Sequence, residues 1–118
     1  MSVSSTHAAE FYREVAASGI VWAIKDSGGF PAPQNSDGAR AMPFWSSESR
    51  ALSIIRNVSA YQGFAPAAIE WAVFCERWVP GLTRDGLLVG INWSGATAKG
   101  FDISPADLER NVKILRGT

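Results

Sequence analysis

The chain has 118 residues, of which 47% are hydrophobic and 19% charged, with eleven Lys and Arg balanced by eleven Asp and Glu. That composition is globular and excludes a disordered chain, while the scatter of single basic residues excludes the grouped positive charge on which nucleic-acid and polybasic membrane binding depend. Residues 1–118 read as a single domain with 1–5 disordered; Met1 to His7 lacks the features of a secretory signal and no run approaches a membrane span, so a cytoplasmic location is expected.

In chain order, Ala8, Phe11, Tyr12 and Val15 stand at helical spacing from about Thr6 to Ser18, with Gly19 as the stop. Ile20 to Asp26 alternates as a strand, and Ser27-Gly28-Gly29 predicts a turn that returns in a hairpin through Phe30. Residues 31–41 form a polar loop, and Met42 to Trp45 a short strand, placed at an edge because Pro43 cannot donate to a ladder. Ser46 or Ser47 then caps a helix whose buried stripe is Leu52, Ile55 and Val58. Phe64 to Glu70 returns to the sheet. Trp71, Phe74, Cys75 and Trp78 follow at i, i+3, i+4 and i+7 on one helical face, which Pro80-Gly81 is expected to end.

Leu87 to Trp93 predicts a central strand with Leu87, Val89, Ile91 and Trp93 on one face and Leu88 on the other; Gly90 within it signals close approach by a neighbour. Ser94 to Lys99 connects it to a strand over Gly100 to Ile103. The last helix has Ser104 as cap, Pro105 at its first position and Asp107 three residues after the cap, with Leu108, Val112 and Leu115 facing inward. The expected fold is α+β: an antiparallel or mixed sheet with helices packed against it, in the order α-β-β-α-β-α-β-β-α.

The sequence lacks the constellations that chemistry requires. His7 is the sole histidine and reads as a solvated residue near the terminus, so Cys75 has no base; one Cys and one His supply no zinc site, and no metal or cofactor is expected. The segment Gly95 to Gly100 lacks the Lys-Ser/Thr of a phosphate loop and reads as a hairpin connection, and Asn35 to Gly38 reads as a polar turn rather than a calcium loop. Asp26, Glu70, Asp85 and Asp102 lie near strand ends, where turn and helix-start roles compete with acid/base work.

Two clusters are candidate sites: Arg40, Trp45 and Ser46, where the loop enters a strand and then a helix start, and Asn92, Trp93 and Ser94, at the end of the central strand. If these ends meet, they offer a site for a small anion or a peptide carboxylate beside an indole; the competing reading buries Trp45 and Trp93 in the core and leaves the serines as caps.

Pro43 to Ser47, Trp71-x-x-Phe74-x-x-x-Trp78-x-Pro80-Gly81-Leu82 and Asp85 to Gly95 occur in an order that resembles the bacterial family called domain of unknown function 2750, over about Phe11 to Ile114. The resemblance implies a small bacterial cytosolic protein and no catalytic residues. Met42 to Ile55 is also similar to secretion-associated SseB-type domains, which implies protein partners. The leading expectation is therefore a non-enzymatic protein-interaction module, accessory or immunity-like, using the Arg40 to Ser47 segment, since Trp and Arg are enriched at interface hot spots. The alternative is a small-ligand site or enzyme at the ends of the central strands. A homodimer formed through a sheet edge near Pro43 is a further expectation, because near-zero net charge does not oppose self-association.

Overall fold

Ile20, Trp22 and Ile24 alternating with Val21 and Ala23 make a strand apolar on both faces, and the computed structural model, which describes residues 3–35 and 37–117, is built around that property. Strand β1 (Ile20–Lys25) pairs antiparallel with β3 (Ala65–Glu70), while β2 (Ala41–Phe44) runs parallel to β4 (Leu88–Ser94), which pairs antiparallel with β5 (Lys99–Ile103). One bridge stitches the two sheets together: the Trp22 and Trp45 N–H groups each donate to the other's carbonyl, at 2.8 and 2.7 Å. The next hydrogen-bonded pair in that antiparallel ladder needs an N–H from residue 43, and Pro43 has none, so the ladder stops.

Pro43 therefore lies, as expected, in the edge strand of the β2-β4-β5 sheet and interrupts the ladder toward β1. On one side β2 pairs with β4; on the other it meets Trp22, and the Ala41 N–H donates to the Pro33 carbonyl at 3.2 Å. The hairpin through Phe30 is reduced to a tight turn, with a single bridge between Asp26 and Gly29 and the Asp26 carboxylate accepting the Gly28 N–H at 2.8 Å.

Helices cover both faces. Helices α1 (Val3–Ser18), α3 (Trp71–Val73), α4 (Val79–Arg84) and α5 (Pro105–Arg116) supply one core, where Phe11, Val15, Phe74, Leu108 and Val112 pack on Val21, Phe44, Val89 and Ile91. Helix α2 (Glu48–Asn57) and the 3-10 turn Ser59–Tyr61 supply the other, where Ala51, Ile54 and Tyr61 pack on Ile24, Trp45 and Trp93. The fold is thus α+β with a mixed β arrangement between helices, in the expected order. Each of the fully buried Phe11, Phe44 and Phe74 contributes roughly 1.5–3 kcal/mol by leaving water. Helix α1 opens at Val3 rather than near Thr6; Met1, Ser2, Ser36 and Thr118 lie outside the described residues.

Several local expectations shift for identifiable reasons. The buried stripe of α2 is Ala51, Ile54 and Val58, rotated by one position so that Leu52 is exposed. Pro80 does not end its helix. A π-helical segment, Phe74–Trp78, lets the Val79 N–H reach back five residues to the Phe74 carbonyl; this wider turn precedes Pro80, and helical backbone continues to Arg84. At the other terminus Leu108 and Val112 are buried as expected, but Leu115 is 57% exposed.

Trp93 changes face. Val89 and Ile91 point toward α1 and α5, and simple alternation would send residue 93 the same way. Asn92 instead adopts φ 48°, the left-handed region, and the pairing of β4 with β5 shifts register between Ile91 and Ser94. That bulge inserts one residue and turns Trp93 toward α2.

Candidate functional site

The parallel pairing of β2 with β4 places their carboxyl ends side by side, which brings Trp45, Ser46, Asn92, Trp93 and Ser94 together. Arg40 is left at the opposite end of β2, exposed, with its carbonyl accepting the Leu88 N–H at 2.9 Å. The two candidate clusters are therefore one site, minus its arginine.

Trp45 is wholly buried, and its indole N–H donates to the Trp93 carbonyl at 2.8 Å. Trp93 is 8% exposed; its indole N–H donates to Asp102 Oδ1 at 3.0 Å. Its ring lies so close to the chain that a Cβ on Gly90 would stand 2.4 Å from the indole, and one on Gly100 2.7 Å from it. The close approach signalled by Gly90 is thus that of an indole. Both tryptophans serve as core.

The polar groups of Asn92 and Ser46 at the strand ends are spent on one another and on Glu14. Asn92 is buried, and its Oδ1 accepts the Ser46 N–H at 3.0 Å while its Nδ2 donates to Ser46 Oγ at 3.0 Å. The Ser46 hydroxyl donates to Glu14 Oε1 at 2.6 Å, and Arg50 clamps Glu14 through Nε at 3.0 Å and Nη2 at 2.7 Å while also reaching Glu10 at 3.1 Å. The Arg50 guanidinium, with help from the Ser46 hydroxyl and against the effect of burial, holds the Glu14 carboxyl below its ordinary value. This chain of bonds ties α1 on one face of the sheet to α2 on the other. It is a structural tie with no free nucleophile or base in it.

Other residues singled out from the sequence have local uses. Asn35 Oδ1 accepts the N–H groups of Asp37 and Ala39, the polar turn expected there. Asp85 pairs with its exposed neighbour Arg84. Burial, followed by the carboxylate of Glu109, pushes the Cys75 thiol up to about 11, so it is protonated and inert at neutral pH.

Two hollows remain on the α2 side. The larger, about 650 Å³, opens between residues 33–37 and the 3-10 turn on one flank and the β4–β5 hairpin on the other; Asn35, Asp37, Tyr61, Thr97 and Asp102 reach its walls. Burial raises the Tyr61 hydroxyl above its ordinary value. The smaller, about 230 Å³, lies at the strand ends between α1 and α2, lined by His7, Ser49, Arg50, Ser53 and Ser94 among others. The smaller takes part of its wall from Trp45, Asn92, Trp93 and Ser94, the strand-end residues singled out from the sequence, whereas the larger as a whole escaped sequence reasoning because its walls come from segments far apart in the chain. His7 is not a solvated terminal residue: it is half-buried in α1, and its Nδ1 is enclosed with no hydrogen-bond partner among the described residues.

The architecture defines a small α+β domain with helices on both faces of the strands, hollows on its surface, and internally bonded Ser46 and Asn92 where a catalytic site was sought. Residues 8–112 match the family described as protein of unknown function (DUF2750), and the chain belongs to that family. Among curated proteins, none matches it. No helix among the described residues is long and apolar enough to cross a membrane.

Proposed function

We propose that this protein is a non-enzymatic protein-interaction module whose partner docks over the open cleft between residues 33–37 and the β4–β5 hairpin. The observation that carries this reading is the contrast between the two kinds of polar group. Those of Ser46 and Asn92 at the strand ends are consumed by internal hydrogen bonds, whereas the cleft of about 650 Å³ presents Asp37, Thr97 and other polar side chains to solvent. The docking surface moves away from the expected Arg40 to Ser47 segment, since Trp45 and Ser46 are buried. Arg40 keeps a place at its margin through the bridge between Gln34 and Arg40. A bacterial cytoplasm is the proposed setting, supported by the family resemblance and by a single free thiol, which suits a reducing compartment.

The test is affinity capture under gentle conditions with the wild-type chain and with Thr97→Arg or Ala60→Arg, each of which fills the cleft from an exposed position. A partner retained by wild type and lost by both variants supports the reading. A partner held equally by all three, or turnover of a metabolite by the wild-type chain, ends it.

A further inference from the structure

We propose that the cleft between residues 33–37 and the β4–β5 hairpin receives an arginine side chain of its protein partner, an inference that rests on the docking surface proposed above and adds what the partner must bring to it. Asp37 and Asp102 stand on opposite flanks of the cleft, and among the described residues neither is paired with a cation. No described lysine or arginine reaches the walls; Arg40 stands outside them, at the margin. Such a hollow repels an anion and concentrates cations. Tyr61 marks the same hollow independently of charge. It lines the cleft and is only 8% exposed, and its hydroxyl makes no hydrogen bond among the described residues. Polar atoms on buried side chains are nearly always paired inside the protein. Unlike His7 Nδ1, this hydroxyl is not sealed from solvent, so a group lying in the cleft can reach it.

Asp102 is held ready to accept. The Trp93 indole N–H donates to its Oδ1 at 3.0 Å, which fixes the carboxylate against the pinned indole, and among the described residues Oδ2 has no donor. A guanidinium suits these groups better than an ammonium does. Its planar fork spreads N–H donors outward in fixed directions and so serves acceptors on both flanks, whereas the ammonium is a compact point charge. Its flat face also stacks on aromatic rings, which Trp93 and Tyr61 supply here. The volume of about 650 Å³ corresponds to roughly twenty waters at about 30 Å³ each, several times what one guanidinium fills, so residues flanking the arginine enter with it. That favours a protein segment over a small free cation.

The experiment titrates isotope-labelled protein with a blocked tripeptide that has arginine at its centre, with its lysine and citrulline counterparts, and with methylguanidinium, following the amides of Asp37, Tyr61, Thr97 and Asp102 and the Trp93 indole N–H by NMR. The expected result is a saturable shift of those signals by the arginine peptide, with a Kd of about 1 mM or below. Affinity should fall about tenfold in Asp102→Asn, which keeps an acceptor for the indole N–H but loses the charge, and about fivefold in Tyr61→Phe, which keeps the ring. Asp37→Asn, at an exposed position outside both cores, should weaken binding about threefold and serves if either of the others alters the amide spectrum away from the cleft. Shifts that never saturate overturn the proposal, as does equal binding of the lysine or citrulline peptide or undiminished binding in the variants. Methylguanidinium binding as tightly as the arginine peptide also overturns it, by marking a site for a small free cation. Affinity capture separates the arginine from the docking surface itself. A partner lost by Thr97→Arg but held by Asp102→Asn and Tyr61→Phe as firmly as by wild type leaves docking at the cleft in place and ends the arginine assignment, whereas a partner held equally by wild type and Thr97→Arg removes both.

Discussion

Replacing Asn92 separates its structural role from any functional one. In the Asn92→Ala variant the buried Ser46 N–H loses its acceptor and Ser46 Oγ loses a donor, a change worth about 1–3 kcal/mol for a stranded buried group. Alanine must also hold the left-handed backbone that Asn92 adopts at φ 48°, at a cost of about 1–2 kcal/mol. The expected loss is therefore about 2–5 kcal/mol, a large fraction of the roughly 5–15 kcal/mol that holds a domain folded. Asn92→Gly loses the same hydrogen bonds but relaxes the backbone, against about 0.5–1 kcal/mol of extra chain entropy, so it should be more stable than Asn92→Ala by about 0.5–1 kcal/mol. Urea unfolding followed by tryptophan fluorescence reads both differences. If the slope is unchanged at about 1–3 kcal/mol per molar, the midpoint of Asn92→Ala should fall by at least about 0.7 M. Stability within about 0.5 kcal/mol of wild type for both variants would show that Asn92 does not carry the tie between β4 and the start of α2, and would return it to the pool of functional residues. An alanine variant as stable as the glycine variant would refute the backbone argument alone.

Gly90→Ala drives a Cβ to 2.4 Å from the Trp93 indole and should cost about 1–3 kcal/mol in the same assay, with a changed tryptophan emission because the ring must move. Glu14 has a folded-state pKa held below its ordinary value of 4.5 by the Arg50 clamp, so the clamp's stability is present above that value and is lost as pH falls below it. Glu14→Gln should therefore flatten the acid limb of a stability-against-pH curve, measured by the unfolding midpoint between about pH 6 and pH 3. Cys75, with its thiol pushed up to about 11, should resist alkylation by iodoacetamide in the folded protein at pH 8 and react quickly once the chain is unfolded in urea.

Features that depend on neighbours along the chain were legible before the structure. The two-faced alternation of β1 and the Ser104, Pro105 and Asp107 start of α5 require only strand and capping geometry, and the Ser104 hydroxyl does accept the Asp107 N–H, at 3.2 Å. Features that depend on one torsion or on distant partners were not. The face of Trp93 follows from the left-handed Asn92; asparagine tolerates that region better than most residues, which is the one local hint. The parallel pairing of β2 with β4 joins segments separated by more than forty residues, and with it the contact between Ser46 and Asn92, |i−j| = 46, is beyond any periodicity. The stripe of α2 was placed one residue off because Leu52 is more apolar than Ala51, yet it is Ala51, small enough for close packing, that lies inside.

The hollows on the α2 side follow from topology more than from side-chain choice. One face of the strands carries α1, α4 and α5, whereas the other carries α2, whose main packing is on β1, β3 and β4. The face of β5 on that side is left to the hairpin, the 3-10 turn and residues 33–37, which approach without closing, and the cleft is the space between them. Residues that only line that space, such as Thr97 and Ala60, can change without disturbing either core, while Trp93, which lines both hollows, is pinned by Gly90, Gly100 and Asp102. On the proposed docking reading, recognition diverges at the cleft rim under a fixed indole floor, and substitutions there should alter the choice of partner with stability changes within about 0.5 kcal/mol, the range of ordinary surface positions.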